Sequence, residues 1–193
     1  MSVAPDLLRP EPPSTRSGRR RLTLDDLYAM LEAGIIQEGE RSELIDGELF
    51  VVASEGELHV DYVDEFTEHL RAALGPDYKV VQRGVLNRAP DTQLSPDVAV
   101  WPAGTRARDM TPANVLLIVE ISDTTARGDK REKAPLYAAA GVRELWIMDV
   151  RPRRLLVHRE AQGGAWPQAI ELAPGQPIAP WFAPDRPITV PGL

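Results

Sequence analysis

The chain predicts an α/β fold with a mixed sheet, in the order helix, strand, strand, strand, helix, strand from residue 57 onward, preceded by a short helix and a hairpin. Three observations carry that prediction. Leu58, Tyr62, Phe66, Leu70 and Leu74 recur at helical spacing over residues 57 to 74, and the pattern stops at Gly75-Pro76. The runs VLLIVE (115–120) and ELWIMD (144–149) are almost continuously apolar, as central strands covered on both faces are. Between these runs Leu136, Tyr137 and Ala140 form the apolar face of a helix ending before Gly141, so a crossover joins the two strands.

The elements follow in order. Residues 1 to 21 carry Pro5, Pro10, Pro12 and Pro13 among Ser, Thr and Arg without apolar periodicity, and read as a flexible leader. Thr23 is an N-cap with Asp26 three positions on, and Leu24, Leu27, Tyr28 and Leu31 supply a helical stripe ending at Gly34. Asp46-Gly47 between Ser42–Ile45 and Glu48–Ala53 is the chemistry of a two-residue hairpin turn. Strands are expected over Lys79–Leu86, Pro96–Trp101 and Val115–Ser122, each rich in Val, Ile or Leu. Asp129 caps the next helix, where Pro135 is expected to kink the first turns. Glu144–Val150, Leu155–Arg159 and Trp166–Leu172 complete the strands. Trp101 and Trp146 read as core, and Trp166 and Trp181 as candidates for a dimer surface.

Composition bounds the function. With 193 residues, 43% of them hydrophobic and 26% charged, the chain suits one globular domain over 22–193. Zero cysteines exclude disulfides and thiolate metal sites, and His59, His69 and His158 lack zinc-motif spacing. No apolar stretch approaches the roughly 18 residues of a membrane span, and the N-terminus lacks a secretory layout, so a cytoplasmic protein is expected. The net charge of −7 argues against a protein that coats nucleic acid. It leaves room for a local basic cleft, and Arg127, Lys130, Arg131 and Lys133 cluster beside the candidate site.

That site consists of Asp97 in SPDVAV, Glu120 closing VLLIVE, and Lys133. Hard divalent cations take one or two carboxylates together with water and substrate phosphate. A neighbouring ammonium stabilises negative charge or assists a water, and together these parts suit hydrolysis of a phosphodiester. Asp97 and Glu120 meet if their strands are antiparallel neighbours. Plainer readings stand beside this one. Asp97 can hold a turn by hydrogen bonding, and Lys133 can simply pair with Glu120. Glu43 faces solvent or acts as a ligand; His59 caps or packs, or is catalytic or contacts phosphate; Tyr137, on the face of Lys133, packs in the core or takes part in catalysis.

The blocks ELIDGEL (43–49), PDVAV (96–100), IVEISDTT (118–125), GDKREKAPLYAAAGVRELWIMD (128–149) and the late PITV stand in an order that resembles the Uma-type restriction endonucleases of bacteria. That family is a branch of the PD-(D/E)XK nuclease superfamily, and the resemblance covers roughly residues 22 to 190. It implies a restriction-endonuclease-like core and a homodimeric, Mg²⁺-dependent endonuclease acting on DNA, with Mn²⁺ an alternative ion. Asp97 and Glu120 match the acidic metal ligands, with the Ile121 carbonyl beside them. The superfamily lysine usually follows the acidic position by two, a place held here by Ser122, so Lys133 in the pattern D-x-x-x-K-x-P-x-Y takes its part. Glu43 matches the glutamate of ELIDG, while Lys130, Arg131, His59 and Tyr137 are the expected substrate contacts. The competing function is a non-catalytic dimeric binding or regulatory module that keeps the nuclease fold.

Overall fold

Alternation of apolar residues along the strands builds two cores, one on each face of a central sheet. A computed structural model describes residues 20–37, 40–51, 56–106, 109–122 and 133–193. Helix α1 (Leu24–Glu32) begins with a capping box, in which the Thr23 hydroxyl accepts from the Asp26 N–H and the Asp26 carboxylate accepts from the Thr23 N–H. Strands β1 (Ser42–Ile45) and β2 (Glu48–Val51) form the expected hairpin. Its turn residues, Asp46 and Gly47, have φ of 49° and 76°, as a type I′ turn requires.

Helix α2 (Glu57–Leu74) ends as its Gly-Pro stop predicts, passing through a single 3₁₀ turn (Gly75–Asp77) into β3 (Tyr78–Gln82). The strand expected over 79–86 is therefore broken. Arg83, at φ 52°, cannot continue an extended strand, and the chain turns into β4 (Leu86–Ala89) and β5 (Thr92–Leu94). That pair joins the N-terminal hairpin in a four-stranded sheet of order β2-β1-β5-β4. Next come β6 (Val98–Pro102), β7 (Leu117–Ser122), α3 (Ala134–Ala139), β8 (Glu144–Asp149) and β9 (Arg154–Arg159). Pro135 stands in the first turn of α3, where its missing N–H has no helical partner to lose, so no kink arises from it within the described helix. The expected cap at Asp129 lies outside the described residues, as do residues 1–19 of the expected leader.

The strand expected over 166–172 is only β10 (Ile170–Leu172), since Pro167 cannot donate to a ladder. A small final pair, β11 (Pro177–Ile178) and β12 (Ile188–Thr189), had no clear signal in the sequence. The central sheet has the order β10-β9-β8-β7-β6-β3, with β7 and β8 parallel across the α3 crossover and the other neighbours antiparallel. Tyr62, Phe66, Leu70 and Leu74 of α2 pack on Val98, Val100, Val119, Ile121 and Trp146. The opposite face carries Ala99, Ile118, Leu145 and Ile147 against Tyr137 of α3 and Leu86 and Leu94 of the second sheet. Each such buried side chain contributes about 1.5–3 kcal/mol of transfer free energy. Trp101 and Trp146 are buried as expected, Trp181 is exposed, and Trp166 is half-buried with its indole N–H donating to the Ala134 carbonyl. No helix among the described residues is long and apolar enough to cross a membrane.

Candidate active site

Antiparallel pairing of β6 and β7 sets Val98 opposite Val119, so Asp97 and Glu120 occupy the next opposed positions of the ladder. Residue alternation turns both toward the face bearing Ala99, Ile118 and Tyr137. Each is 0% exposed. Like charges so disposed repel, and burial strengthens the repulsion, so the pair requires cations or donors. One donor is the Ile121 N–H, 2.8 Å from Asp97 Oδ2. The N–H and C=O of one strand residue leave on the same side, so the Ile121 carbonyl also looks away from β8 toward Asp97.

The remaining partners come from distant segments. Arg41, just before β1, sets its two terminal guanidinium nitrogens 3.4 and 3.3 Å from Asp97 Oδ1 and donates to the Ser95 carbonyl at 3.1 Å. His59 Nε2 of α2 lies 3.3 Å from the same Oδ1. At the start of α3, Lys133 Nζ donates to Glu43 Oε1 at 2.7 Å, and the Ser95 N–H donates to that oxygen at 2.9 Å. One turn on, the Tyr137 hydroxyl donates to Glu120 Oε1 at 2.6 Å. The second sheet is what brings Glu43 here, because Leu44 of β1 pairs with Gln93 of β5, two residues before Ser95.

Electrostatics follow from this geometry. Burial acts to lower the Lys133 pKa, but Glu120, Glu43 and Asp97 outweigh it and hold the ammonium above its ordinary value. Lys133 is therefore a cation at neutral pH and acts as a donor. Burial first, and then the charge and hydrogen bond of Glu120, push Tyr137 well above the usual phenol value. Its proton stays on the hydroxyl and fixes one Glu120 oxygen.

Asp97, Glu120, Lys133, Glu43, Ile121, His59 and Tyr137 are thus gathered as one group. His59 and Tyr137, expected to touch substrate, are buried and directed at Asp97 and Glu120. Lys130 and Arg131 lie outside the described residues. Arg41 is the participant that sequence reasoning missed. Its only signal was a cation two positions before Glu43, and nothing local links it to Asp97. Asp149, opposite Ser122 across β7 and β8, is a further buried carboxylate on this face.

Among the described residues no group of three or more His, Asp or Glu side chains is spaced to hold an ion. Arg41 and His59 lie on Asp97, and Lys133 lies on Glu43. Mg²⁺ needs only one or two carboxylates with waters and phosphate, so the hard oxygen set of Asp97, Glu120 and the Ile121 carbonyl fits such an ion chemically.

No curated protein matches the chain. A solved structure described as a putative nuclease belonging to DUF820, from Anabaena variabilis, superposes with a TM-score of 0.69 at 16% identity, covering 88% of this chain and 95% of that one. At that identity the likeness establishes the shared fold. The Uma2 family, described as putative restriction endonucleases, matches residues 24–187. The chain therefore belongs to the Uma2 family of restriction-endonuclease-like proteins.

Proposed function

We propose that this protein is a divalent-metal-dependent endonuclease that hydrolyses DNA phosphodiester bonds, with Asp97, Glu120 and the Ile121 carbonyl as the ligands of Mg²⁺ or Mn²⁺. The observation that carries the reading is the buried, opposed pair Asp97 and Glu120, with Asp97 hydrogen-bonded to the Ile121 N–H. An ion bound there supplies Lewis-acid polarisation of the phosphoryl oxygens and a lower pKa for water.

The chain's own residues do the rest. Lys133, kept charged by its three carboxylates, orients the attacking water and steadies charge that develops on the phosphate. Glu43 aims the ammonium through its Oε1, which the Ser95 N–H holds in place. Tyr137 locks the Glu120 rotamer. Arg41 pairs with Asp97, with His59 Nε2 beside the same oxygen, before ion and substrate arrive, and Arg41 is then available to the scissile phosphate. A homodimer would present two such sites to the two strands of a duplex.

One observation favours the second reading, a non-catalytic dimeric module: the cations already lie on two of the three carboxylates. Cleavage of plasmid, linear and single-stranded DNA with Mg²⁺ or Mn²⁺ separates the two. Metal-dependent cutting that disappears in folded Asp97→Ala and Lys133→Ala variants is the expected result. Absence of cutting on every substrate, with no calorimetric binding of either ion, replaces the nuclease with the module.

A further inference from the structure

Strands β3, β7 and β8 end at the edge of the central sheet where β6 and β9 begin, so one edge gathers Arg83, Asp97, Glu120 and the β8–β9 turn. The turn is pinned there, since the Val150 N–H donates to the Ser122 carbonyl at 2.9 Å. It carries Arg151, Pro152 and Arg153, with both arginines exposed. On the other flank Arg83 is exposed, and its N–H donates to the Asp97 carbonyl at 2.8 Å.

Arg83 and Arg153 share a backbone anomaly. Both sit in the left-handed region, at φ 52° and 51°, where glycine or asparagine costs less. The other described non-glycine residues with positive φ are Asp46, in its type I′ turn, and Glu160, at the opposite end of the sheet. Two arginines held against backbone preference on either side of one site point to a task for the guanidinium groups. With a net charge of −7 the body of the protein repels a polyanion, so attraction must come from cations placed where the strand lies.

We propose that Arg83 and Arg153, with Arg151 beside the latter, form a phosphate rail along this edge, gripping the nucleic-acid backbone on both sides of the bond addressed by Asp97 and Glu120. The location of the bond rests on the nuclease reading; the grip does not. From β3 to the β8–β9 turn is three to four strand spacings, or about 14–19 Å. At about 3.4 Å of rise per nucleotide, that spans roughly four to six nucleotides of one strand. The site strands β6 and β7 lie between the two arms.

The test measures binding of a short labelled DNA duplex in EDTA across a salt series, for the full chain and its Arg83→Gly, Arg153→Gly and doubly substituted variants. Each glycine is expected to leave Tm unchanged or raise it, while lowering the slope of log K against log salt by about 0.9 in magnitude. Asparagine at the same positions gives a second set, tolerated in left-handed backbone if glycine loosens the turn. Glu160→Gly relieves the same backbone conformation at the far end and should leave the slope alone. A double variant with the wild-type slope, or a wild-type protein that does not bind the duplex, overturns the rail. Arginine-dependent binding by a protein that cuts nothing in Mg²⁺ upholds the rail and removes the nuclease reading alone.

Discussion

Two buried carboxylate sites sit on opposite faces and at opposite ends of the central sheet, and they are built differently. Glu144 opens β8 on the face packed against α2 and is 0% exposed. Its Oε1 accepts from the Trp146 indole N–H at 2.8 Å and from Arg159 Nε at 2.7 Å, and its Oε2 accepts from the Trp181 backbone N–H at 2.7 Å. One carboxylate meets one guanidinium, and the other donors are fixed by the sheet and the chain. At the other end Asp97 and Glu120 share a face, Glu43 approaches from the second sheet, and all three depend largely on long side chains from separate segments: Arg41, His59, Lys133 and Tyr137. Burial of a carboxylate therefore does not mark chemistry by itself. The difference lies in whether its donors belong to neighbouring sheet and chain or reach it from separate segments, and under the proposed function only the latter move aside for an ion or a phosphate.

The largest expected effect tests that difference directly. Asp97→Asn keeps shape and the bond from Ile121 but loses the charge, so cleavage should fall roughly 10³-fold, about 4 kcal/mol in the barrier, with the fold intact. Glu144→Gln should leave turnover per folded molecule unchanged; a comparable loss there would erase the distinction. In stability the order reverses. Removing the Glu144 charge strands Arg159, and urea unfolding of Glu144→Gln should lose about 3 kcal/mol, more than Asp97→Asn loses.

Tyr137→Phe should cost about 2 kcal/mol, the value of a hydrogen bond to a charged group. It should also change the response to alkali. Lys133 and Tyr137 are both raised above their ordinary values of 10.5 and 10.0. The stability each contributes is complete below those ordinary values and is lost as pH climbs through the higher folded ones, so unfolding free energy should decline above about pH 10. Replacing Tyr137 removes its part of that decline, and an identical pH profile in wild type and Tyr137→Phe would contradict the arrangement.

The smallest effect is expected at Arg41. Its contacts to Asp97 are long, and Arg41→Gln should lower stability by about 1 kcal/mol without metal. Mn²⁺ should restore that loss if the ion takes over the Asp97 charge, and no ion should rescue Glu144→Gln. Thermal unfolding with and without Mn²⁺ reads both variants, and equal rescue at the two sites would mean the ion binds elsewhere.

Much of this was legible before folding. The helix over 57–74, the capping box at Thr23, the Asp46-Gly47 turn and the two apolar central strands were all readable, because each depends on contacts within one turn or on residue alternation. Asp97, Glu120 and Lys133 could be singled out by residue type and by family-like wording. Strands β4 and β5 escaped notice because they are short and pair with a hairpin far upstream. Pro135 stands in the first turn of the described helix, and the cap at Asp129 on which the expected kink depends lies outside the described residues.

By itself the sequence determined the order of helices α2 and α3 and the central strands they flank, the carboxylates to watch and the family, all of which rest on local periodicity, turn chemistry and residue identity. Only the tertiary structure decided which donor serves which carboxylate: Arg41 on Asp97, Lys133 on Glu43, and Tyr137 on Glu120. The reason is physical. Those pairs join residues up to 90 positions apart, as for Lys133 and Glu43, and they exist because β1 pairs with β5 and α3 packs on the sheet, contacts that no local pattern along the chain encodes.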